Sequence, residues 1–401
     1  MSAVVLPNAP WRNEPGLARV MAALAGDREM VRAVGGAVRD TLAGLPVSDV
    51  DLATRWLPQQ VVERLEAAGI KAVPTGIAHG TITAVADGKV YEVTTLRHDV
   101  STDGRHATVA FTDDWAEDAA RRDFTINALY ANPLTGELFD PTSGHDDLVA
   151  RRVRFIGDAG QRIDEDHLRI LRWFRFLARF GDGSPDAETL ALVSSRARQL
   201  RSLSRERIAD ELMRMLALPN PAPTFRLMAD AGIMGEIAPE VPDDAPEALA
   251  RMVAREAAHG CVADPALRLI ALLPVDAGLA DIVASRLKLS NRLRKRIAVA
   301  RGGGIRELAR VLAYRIGVEG ARDRLLLSES ADQPLSSALA SIADWTPPKL
   351  PIGGGDIVAM GVKAGPDVAR ALRAVEEQWL AEDFPTRDRA LELARRAVAT
   401  I

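Results

Sequence analysis

The alternation of apolar and polar positions divides the chain into two regions of different secondary structure. In the first region, short and often β-branched runs separated by Gly, Pro and Asp predict strands over 31–34, 50–52, 81–85, 90–96 and 109–111. Between these runs, apolar residues three and four positions apart predict helices over 37–42 and 58–68. This mixture predicts an α/β or α+β domain of roughly 150 residues.

From about Glu165 onward the pattern is almost entirely helical. Stretches rich in Ala, Leu and Arg are interrupted by Pro or Gly, for example at 219–223, 302–304 and 347–351. No fixed repeat period is found, which favours a series of helical bundles over a repeat array.

Composition adds limits to this picture. The 401 residues, 47% hydrophobic and 26% charged, are typical of a globular protein of two to four domains. The sequence contains no run of about 18 apolar residues, so no membrane span is predicted. Its first residues lack the basic region followed by an apolar core that is typical of a secretory signal. The single cysteine, Cys261, supplies at most one thiolate to a zinc site. We therefore expect a cytoplasmic protein.

The clearest chemical pattern follows the first predicted strand. The strand runs into Gly35 and Gly36 and a helix begins at once, so the backbone can approach a phosphate closely, with Arg39 adding positive charge. Asp49 and Asp51 are two residues apart on a predicted strand and point to one face, which suits Mg²⁺ that also binds substrate phosphates. Each pattern alone is weak, since glycine pairs usually form plain turns and Asp-x-Asp usually ends a solvated strand. Together they are much stronger.

Two further segments, around Glu92 and at 121–127, carry charged residues that are candidates for ligand contact. Glu92 lies within an otherwise apolar strand, as either an edge residue facing water or a third carboxylate of the metal site. Arg121, Arg122, Asp123 and Asn127 stand at the start of a predicted helix, where an N-cap with surface charges is the alternative to ligand contact. The spacing of the last three on one helical side favours ligand contact.

A long helix is predicted over 163–176. Glu165, Arg169 and Arg172 share one face of it at i, i+4 and i+7. An ion-paired helix surface is the alternative to a ligand-binding face.

These segments, in this order, resemble the CCA-adding tRNA nucleotidyltransferases of the bacterial and eukaryotic class. That class lies within the polymerase-β-like superfamily, together with poly(A) polymerases. The clear resemblance covers about residues 30–180 and includes Glu-Asp-x-x-Arg at 165–169. In addition, 94–106 resembles the family's flexible loop, with a turn predicted at Asp103-Gly104, and 351–366 resembles its C-terminal part.

The resemblance implies an α+β fold in which a mixed-sheet nucleotidyltransferase head is followed by an all-α neck, body and tail. The implied boundaries are 1–150 for the head, 151–220 for the neck, 221–345 for the body and 346–401 for the tail. The neck would recognise the base, and the body and tail would bind tRNA. The implied activity is template-independent addition of C, C and A to the 3′ end of tRNA from CTP and ATP, with Mg²⁺ and release of pyrophosphate.

The resemblance also implies roles for individual residues. Asp49 and Asp51 would hold Mg²⁺, and Asp166 and Arg169 would read the edge of the base. Residues implied to bind the nucleotide are Gly35, Gly36, Arg39, Arg121, Arg122, Asp123, Asn127, Glu165, Asp166, Arg169 and Arg172.

Several alternatives stay open. A poly(A) polymerase shares the head motifs but carries extra basic tails, whereas this chain ends in a mixed-charge helix at 387–401. Variants that add only CC or only A differ in subtler features. A non-catalytic RNA-binding protein with a decayed head is disfavoured by the intact Asp-x-Asp. No protein partner is predicted.

One basic segment stands out in a chain whose formal net charge is −4. Between Arg286 and Arg310 there are nine basic residues and one acidic residue, Glu307. Phosphate contact with tRNA through Arg292, Lys295 and Arg296 is the prediction, and a solvated helix face is the alternative.

Overall fold

The computed structural model describes residues 4–102, 107–305, 307–328 and 334–400, and the chain forms two compact units. Met1–Pro239 holds every described strand together with helices, and the described part of Glu240–Ile401 has helices alone. This confirms the predicted fold class. The finer division into head, neck, body and tail stays a prediction.

The main sheet of the first unit is mixed. The strands are β1 (Val31–Val34), β2 (Val50–Thr54), β3 (Lys71–Gly76), β4 (Thr81–Ala86), β5 (Lys89–Thr95), β6 (Arg97–Thr102), β7 (Ala107–Phe111), β8 (Tyr130–Ala131) and β9 (Leu138–Phe139). The order in the sheet is β3-β4-β5-β2-β1-β8-β9, with β2 and β5 parallel and the other neighbours antiparallel. Strands β6 and β7 form a separate antiparallel pair, and the turn predicted at Asp103-Gly104 lies outside the described residues.

Helices surround this sheet and continue to the end of the unit. They are α1 (Pro15–Ala23), α2 (Gly36–Leu42), α3 (Pro58–Ala67), α4 (Trp115–Ala120), α5 (Gly144–Val149), α6 (Ala159–Glu165), α7 (Arg169–Phe180), α8 (Ala187–Ser195), α9 (Arg205–Leu216), α10 (Ala222–Asp230) and α11 (Ile233–Ile237). Short 3-10 turns cover Pro10–Asn13, Gly26–Arg28, Ile77–His79, Thr125–Asn127 and Ala197–Ser202.

The second unit continues with α12 (Ala245–Ala258), α13 (Pro265–Leu272), α14 (Ala277–Arg286), α15 (Asn291–Arg301), α16 (Ala309–Leu327), α17 (Leu335–Ile342), α18 (Gly354–Ala359), α19 (Pro366–Ala381) and α20 (Arg387–Val398). Helix α16 is kinked at Gly317, whose backbone is non-helical (φ 81°, ψ 157°). Over the described residues, no helix has both the length and the apolar character that a membrane crossing requires.

Alternation along the strands separates the core of the main sheet from the face that carries polar side chains. On β2, Val50 and Leu52 belong to the core, and Asp51 points to the opposite face. Strand β5 has the same alternation around Glu92. Because β2 and β5 are parallel and Asp51 pairs with Glu92, these two carboxylates are neighbours on one face.

A break at Asp166 divides the single helix predicted over 163–176 into α6 and α7. Asp166 has an extended backbone (φ −152°, ψ 102°), and its Oδ1 accepts the N–H of Leu168 at 3.1 Å. Aspartate competes with a helix by bonding to nearby backbone in this way. The prediction of one continuous helix is therefore wrong.

The helix predicted to start at the Arg-Arg-Asp segment is also wrong. The arginines follow the end of α4, and Phe124 is extended and forms a β-bridge with Phe155. A single 3-10 turn then spans Thr125–Asn127. Asp123 and Asn127 still meet, because the Asn127 amide donates to Asp123 Oδ1 at 2.9 Å across this turn.

One arginine of the second unit connects three helices. Arg296 of α15 donates to Asp323 of α16 at 2.6 and 2.9 Å, and to Asp264, the N-cap residue of α13, at 2.5 Å. The side chain of Asp323 is 1% exposed. Because a buried carboxylate without a partner is costly, this arginine stabilises the packing of α13, α15 and α16.

Gly144 allows α5 to approach the turn at Thr125–Asn127. A Cβ atom on Gly144 would lie 2.1 Å from the carbonyl oxygen of Thr125. Gly144→Ala should therefore lower the free energy of unfolding by about 1–3 kcal/mol, measured by urea denaturation. Gly235→Ala in α11 is the matched control, since a Cβ there meets no described heavy atom within 4 Å apart from its chain neighbours and the backbone of its own helix. The control should be neutral or stabilising by up to about 1 kcal/mol, and equal stability of the two variants would contradict the prediction.

Candidate active site

A cavity of about 410 Å³ opens in the first unit beside β2, the start of α2 and the start of α7. It is lined by Gly35, Gly36, Arg39, Asp51, Arg121, Arg122, Asp123, Asn127, Asp166, Leu168, Arg169, Arg172, Phe176 and Arg207. Most of the predicted nucleotide-binding residues are therefore brought together. Asp49, Glu92 and Glu165 lie outside this lining.

The glycine pair forms the turn between β1 and α2. Gly35 has φ 66° and ψ −118°, a conformation that favours glycine, and its N–H donates to the carbonyl oxygen of Leu129 at 3.0 Å. A Cβ atom on Gly35 would lie 3.7 Å from Nη1 of Arg122. The turn therefore leaves the cavity open beside this arginine.

Arg39 forms part of the cavity wall, with most of its surface covered. Its Nε donates to Asp40 Oδ1 at 2.8 Å, and its Nη1 donates to Asn127 Oδ1. The guanidinium carbon lies 4.4 Å from the ring centre of Phe180 and 5.1 Å from that of Phe176. Burial lowers the pKa of Arg39, and the Asp40 carboxylate partly offsets this effect. Protein groups thus already accept hydrogen bonds from Nε and Nη1 of Arg39. A contact between Arg39 and a triphosphate stays a prediction.

The carboxylates of the predicted metal site crowd one another. Asp51 and Glu92 are register partners, and Asp49 comes directly before β2 and not within it. Solvent reaches Asp51, yet partial desolvation raises its pKa, as do the charges of Glu92 and Asp49, while Arg122 opposes the rise. In the described parts of the chain, no group of three or more His, Cys, Asp or Glu side chains is arranged so that it could hold a metal ion by itself. The donor set suits a hard cation that takes its other ligands from water and phosphates.

Arg121 and Arg122 share one buried carboxylate, that of Asp118. Asp118 Oδ1 accepts from Arg121 Nε at 2.8 Å, and Oδ2 accepts from Arg122 Nη2 at 3.0 Å. The hydroxyl of Tyr130 also donates to Oδ2, at 2.6 Å. Burial alone would raise the pKa of Asp118, but the two arginines and the hydrogen bonds lower it to about 2.

Asp123 joins the Arg-Arg-Asp segment to α7. Its Oδ2 accepts from Arg172 Nε at 2.7 Å, and its Oδ1 accepts from the N–H of Phe124 and from Asn127 Nδ2 at 2.9 Å each. Burial would raise the pKa of Asp123, but Arg172 and these hydrogen bonds lower it. Asp123 thus fixes Arg172 and Asn127 at the cavity wall.

Of the two residues predicted to read the base, Asp166 forms the break between α6 and α7, and Arg169 is the first residue of α7. Asp166 Oδ2 accepts from Arg207 Nη2 of α9 at 2.7 Å. Arg169 Nη1 donates to Glu165 Oε2 at 2.5 Å and to the carbonyl oxygen of Arg162 at 2.8 Å. Both side chains are therefore oriented by neighbours while they line the cavity.

Sequence reasoning missed Asp118, Arg207, Leu168 and Phe176. Asp118 was detectable, because it precedes the paired arginines by three and four residues, the spacing of ion pairs on a helix. Arg207 carried no local signal, since its partner Asp166 lies 41 residues away in the chain.

The basic segment of the second unit borders a groove of about 790 Å³. Arg292 and Lys295 line it and have no ion pair within the described residues, whereas Arg296 is occupied by Asp264 and Asp323. Other basic side chains of the segment are also occupied within the unit: Arg286 by Glu240, Arg294 by Asp281, and Arg301 by the carbonyl oxygens of Ile270 and Leu273.

Two family models match parts of the chain. The model described as the poly A polymerase head domain matches residues 31–154, and the model described as a probable RNA and SrmB-binding site of polymerase A matches residues 184–244. Among solved structures, the Bacillus stearothermophilus CCA-adding enzyme in complex with CTP has a TM-score of 0.74 at 24% identity, covering 96% of this chain and 99% of that one. The Thermotoga maritima CCA-adding enzyme complexed with tRNA has a TM-score of 0.69 at 22% identity, covering 97% and 96%. At these identities the structures show a shared fold.

Similarity in sequence extends along nearly the whole chain. The protein is 35% identical to the mitochondrial CCA tRNA nucleotidyltransferase 1 of Mus musculus, over 91% of this chain and 86% of that protein. It is also 35% identical to the human protein of the same name, over 87% and 82%. The chain therefore belongs to the CCA tRNA nucleotidyltransferase family.

Proposed function

We propose that this nucleotidyltransferase adds C, C and A in turn to the 3′ end of tRNA, from CTP and ATP, without a nucleic-acid template. The observation that carries the proposal is one cavity that combines a carboxylate on β2, a wall of arginines and the Asp166–Arg169 pair. A nucleoside triphosphate has the complementary features: a polyanionic chain at one end and a base edge with donors and acceptors at the other. The names of the relatives agree with this activity.

The protein's part in the reaction is to position the reactants and to offset charge. The 3′ hydroxyl of tRNA attacks the α-phosphorus of the nucleotide, and pyrophosphate leaves. Three arginines of the lining already form ion pairs with protein carboxylates: Arg121, Arg122 and Arg172. Donors fixed before the substrate arrives need no reorganisation during the reaction.

We propose that Asp49 and Asp51 hold Mg²⁺, with Glu92 as a third carboxylate of the same site. When bound, the ion would polarise the phosphates and make the attacking hydroxyl more acidic. Of these carboxylates only Asp51 lines the cavity, and the charges of Glu92, Asp49 and Arg122 all act on it. The family's general use of divalent metal agrees with this donor set.

The hydrogen-bonding groups of cytosine and adenine match Asp166 and Arg169. An ionised Asp166 only accepts, and Arg169 only donates. Both bases present an amino group beside a ring-nitrogen acceptor, whereas uracil and guanine present a carbonyl where Asp166 needs a donor. In the described part of the chain the Arg169 bonds run through Nη1, which leaves Nε and Nη2 for a base.

One experiment tests the function and separates the alternatives. The protein is incubated with tRNA that ends at the discriminator base, with CTP and ATP offered singly and together. Addition of CC with CTP and of CCA with both is expected. Long A tracts would indicate a poly(A) polymerase, and CC alone would indicate a CC-only variant. Addition of A only to a second tRNA that already ends in CC would indicate an A-only variant, and no addition to either tRNA would indicate an RNA-binding protein without activity.

The cellular compartment is a separate prediction. The sequence predicts the cytoplasm, and the murine and human relatives are named as mitochondrial proteins. Fractionation of the source cells decides between these two locations.

Loss of either predicted metal-binding carboxylate should stop every cycle. Asp49→Ala and Asp51→Ala should each abolish both C and A addition, because one site serves all steps. Affinity for tRNA, measured by filter binding, should change little, since backbone contacts lie elsewhere. Glu66→Ala, which removes an exposed carboxylate of α3, should stay active. A variant that loses only A addition would contradict a single site.

Asp166→Ala should relax base selection. An unmatched buried hydrogen-bonding group costs about 1–3 kcal/mol, so discrimination against UTP and GTP should fall roughly tenfold to a hundredfold. Arg169→Ala should lower incorporation of both CTP and ATP. Measuring kcat/KM for all four nucleotides tests both variants, with Asp164→Ala on the outer side of α6 as the control. Full preference for CTP over UTP in Asp166→Ala would place base selection elsewhere.

Arg292 and Lys295 should contact the tRNA backbone. Replacing both with Ala should weaken tRNA binding and lower the slope of log affinity against log salt by about one unit per lost contact. Removing the exposed Arg28 and Lys71 instead is the charge-matched control and should leave the slope unchanged. Arg296→Ala should act differently: it should lower the free energy of unfolding by about 3 kcal/mol or more, because the buried carboxylate of Asp323 loses its cationic partner. An unchanged slope in the groove variant would exclude this contact.

A further inference from the structure

Asp118 lies behind the cavity wall, and it is not part of the lining. It belongs to α4, and its side chain is 1% exposed. A substrate in the cavity would have Arg121 and Arg122 between itself and this carboxylate. Any effect of Asp118 on substrate must therefore act through those arginines.

The donors to Asp118 come from separate parts of the unit. Arg121 and Arg122 follow α4, the hydroxyl of Tyr130 comes from β8, and the backbone N–H of Arg97, at the start of β6, donates to Oδ1 at 3.3 Å. Both carboxylate oxygens are thus used twice or more. Such a set of bonds defines the position of the carboxylate closely.

This arrangement fixes one side of each guanidinium and leaves the other side to the cavity. Arg122 uses Nε and Nη2 toward Asp118 and Tyr130, and its Nη1 lies toward Gly35. Arg121 uses Nε toward Asp118. Without the carboxylate, two adjacent positive charges would repel each other, and both long side chains would regain rotamer freedom.

We propose that Asp118 is a positioning residue of the nucleotide site, which holds Arg121 and Arg122 with their remaining N–H groups toward the bound nucleotide. The inference rests on the proposed function, because it assigns the orientation of a nucleotide-binding wall. Ordering the arginines in advance removes an entropic cost from binding. Asp118 therefore acts on nucleotide affinity and not on tRNA affinity.

The test is steady-state kinetics of Asp118→Asn, which keeps the size of the side chain and removes its charge. We expect KM for both CTP and ATP to rise at least tenfold, with KM for tRNA within twofold of wild type. Partial unfolding would behave differently, since it removes active molecules and lowers kcat without raising KM. Glu117→Gln changes the neighbouring exposed carboxylate of α4 and should match wild type. A fall in kcat alone, or wild-type kinetics, would overturn the proposal.

Two further variants keep the proposal testable if Asp118→Asn folds poorly. Tyr130→Phe retains the ring and removes one hydrogen-bond donor to Asp118. It should raise KM for the nucleotides by about two- to fivefold, because Asp118 would then hold Arg121 and Arg122 less firmly. In an Arg122→Ala background, adding Asp118→Asn should raise KM less than it does alone, because residues that act through one another are not additive. Unchanged KM in Tyr130→Phe, or full additivity in the double variant, would contradict the proposed role.

Failure of this inference is distinguishable from failure of the proposed function. Wild-type protein that adds nothing to tRNA would overturn the function itself. Active wild-type protein with an Asp118→Asn variant of equal nucleotide KM would overturn only the role of Asp118.

Discussion

Each arginine that lines the cavity of the first unit is paired with a carboxylate of the same unit, and the site depends on this constraint. Several guanidinium groups near one cavity would repel one another strongly in a partly desolvated space. The pairs that offset this repulsion are Arg39–Asp40, Arg121–Asp118, Arg122–Asp118, Arg169–Glu165, Arg172–Asp123 and Arg207–Asp166. Some of these pairs join residues far apart in sequence, so the same contacts that hold the cationic wall also hold α7 and α9 against the segments before them.

Aromatic rings add a second contact to arginines that are already paired with carboxylates, Arg39 with Asp40 and Arg175 with Glu211. The guanidinium carbons of Arg39 and Arg175 lie 5.1 and 4.4 Å from the ring centre of Phe176, and Arg39 is also close to Phe180. A ring face attracts a cation without adding a negative charge to the cavity. The rings therefore hold Arg39 and Arg175 without adding further negative charge near the cavity.

Sequence patterns predicted β1, β2, β4, β5 and β7 but missed β3, β6, β8 and β9. The patterns and the family resemblance together predicted most residues of this wall, but not the backbone between them. Apolar periodicity predicts one helix over 163–176. It contains no information about the hydrogen bond from the N–H of Leu168 to the Asp166 carboxylate, which competes with the hydrogen bonds of a helix. The segment at Phe124 is similar, since its extended backbone depends on a bridge to Phe155, 31 residues later. The position of Glu92 beside Asp51 depends on the register of two parallel strands, which a sequence pattern does not specify. Its role in a metal site stays a prediction.

The same reasoning limits what a count of charges can say about binding. The segment from Arg286 to Arg310 has a large basic excess in the sequence, yet Arg296 is used to hold three helices together and Arg301 donates to backbone carbonyl oxygens. Only cations that remain outside such contacts can release counterions when a phosphate binds, and this release is the source of salt-dependent affinity. In both units, then, the charge that a ligand meets is set by which arginines the fold has already paired. The cavity differs from the groove in one respect: the arginines that line the cavity are paired with carboxylates, whereas Arg292 and Lys295, which line the groove, have no ion pair within the described residues.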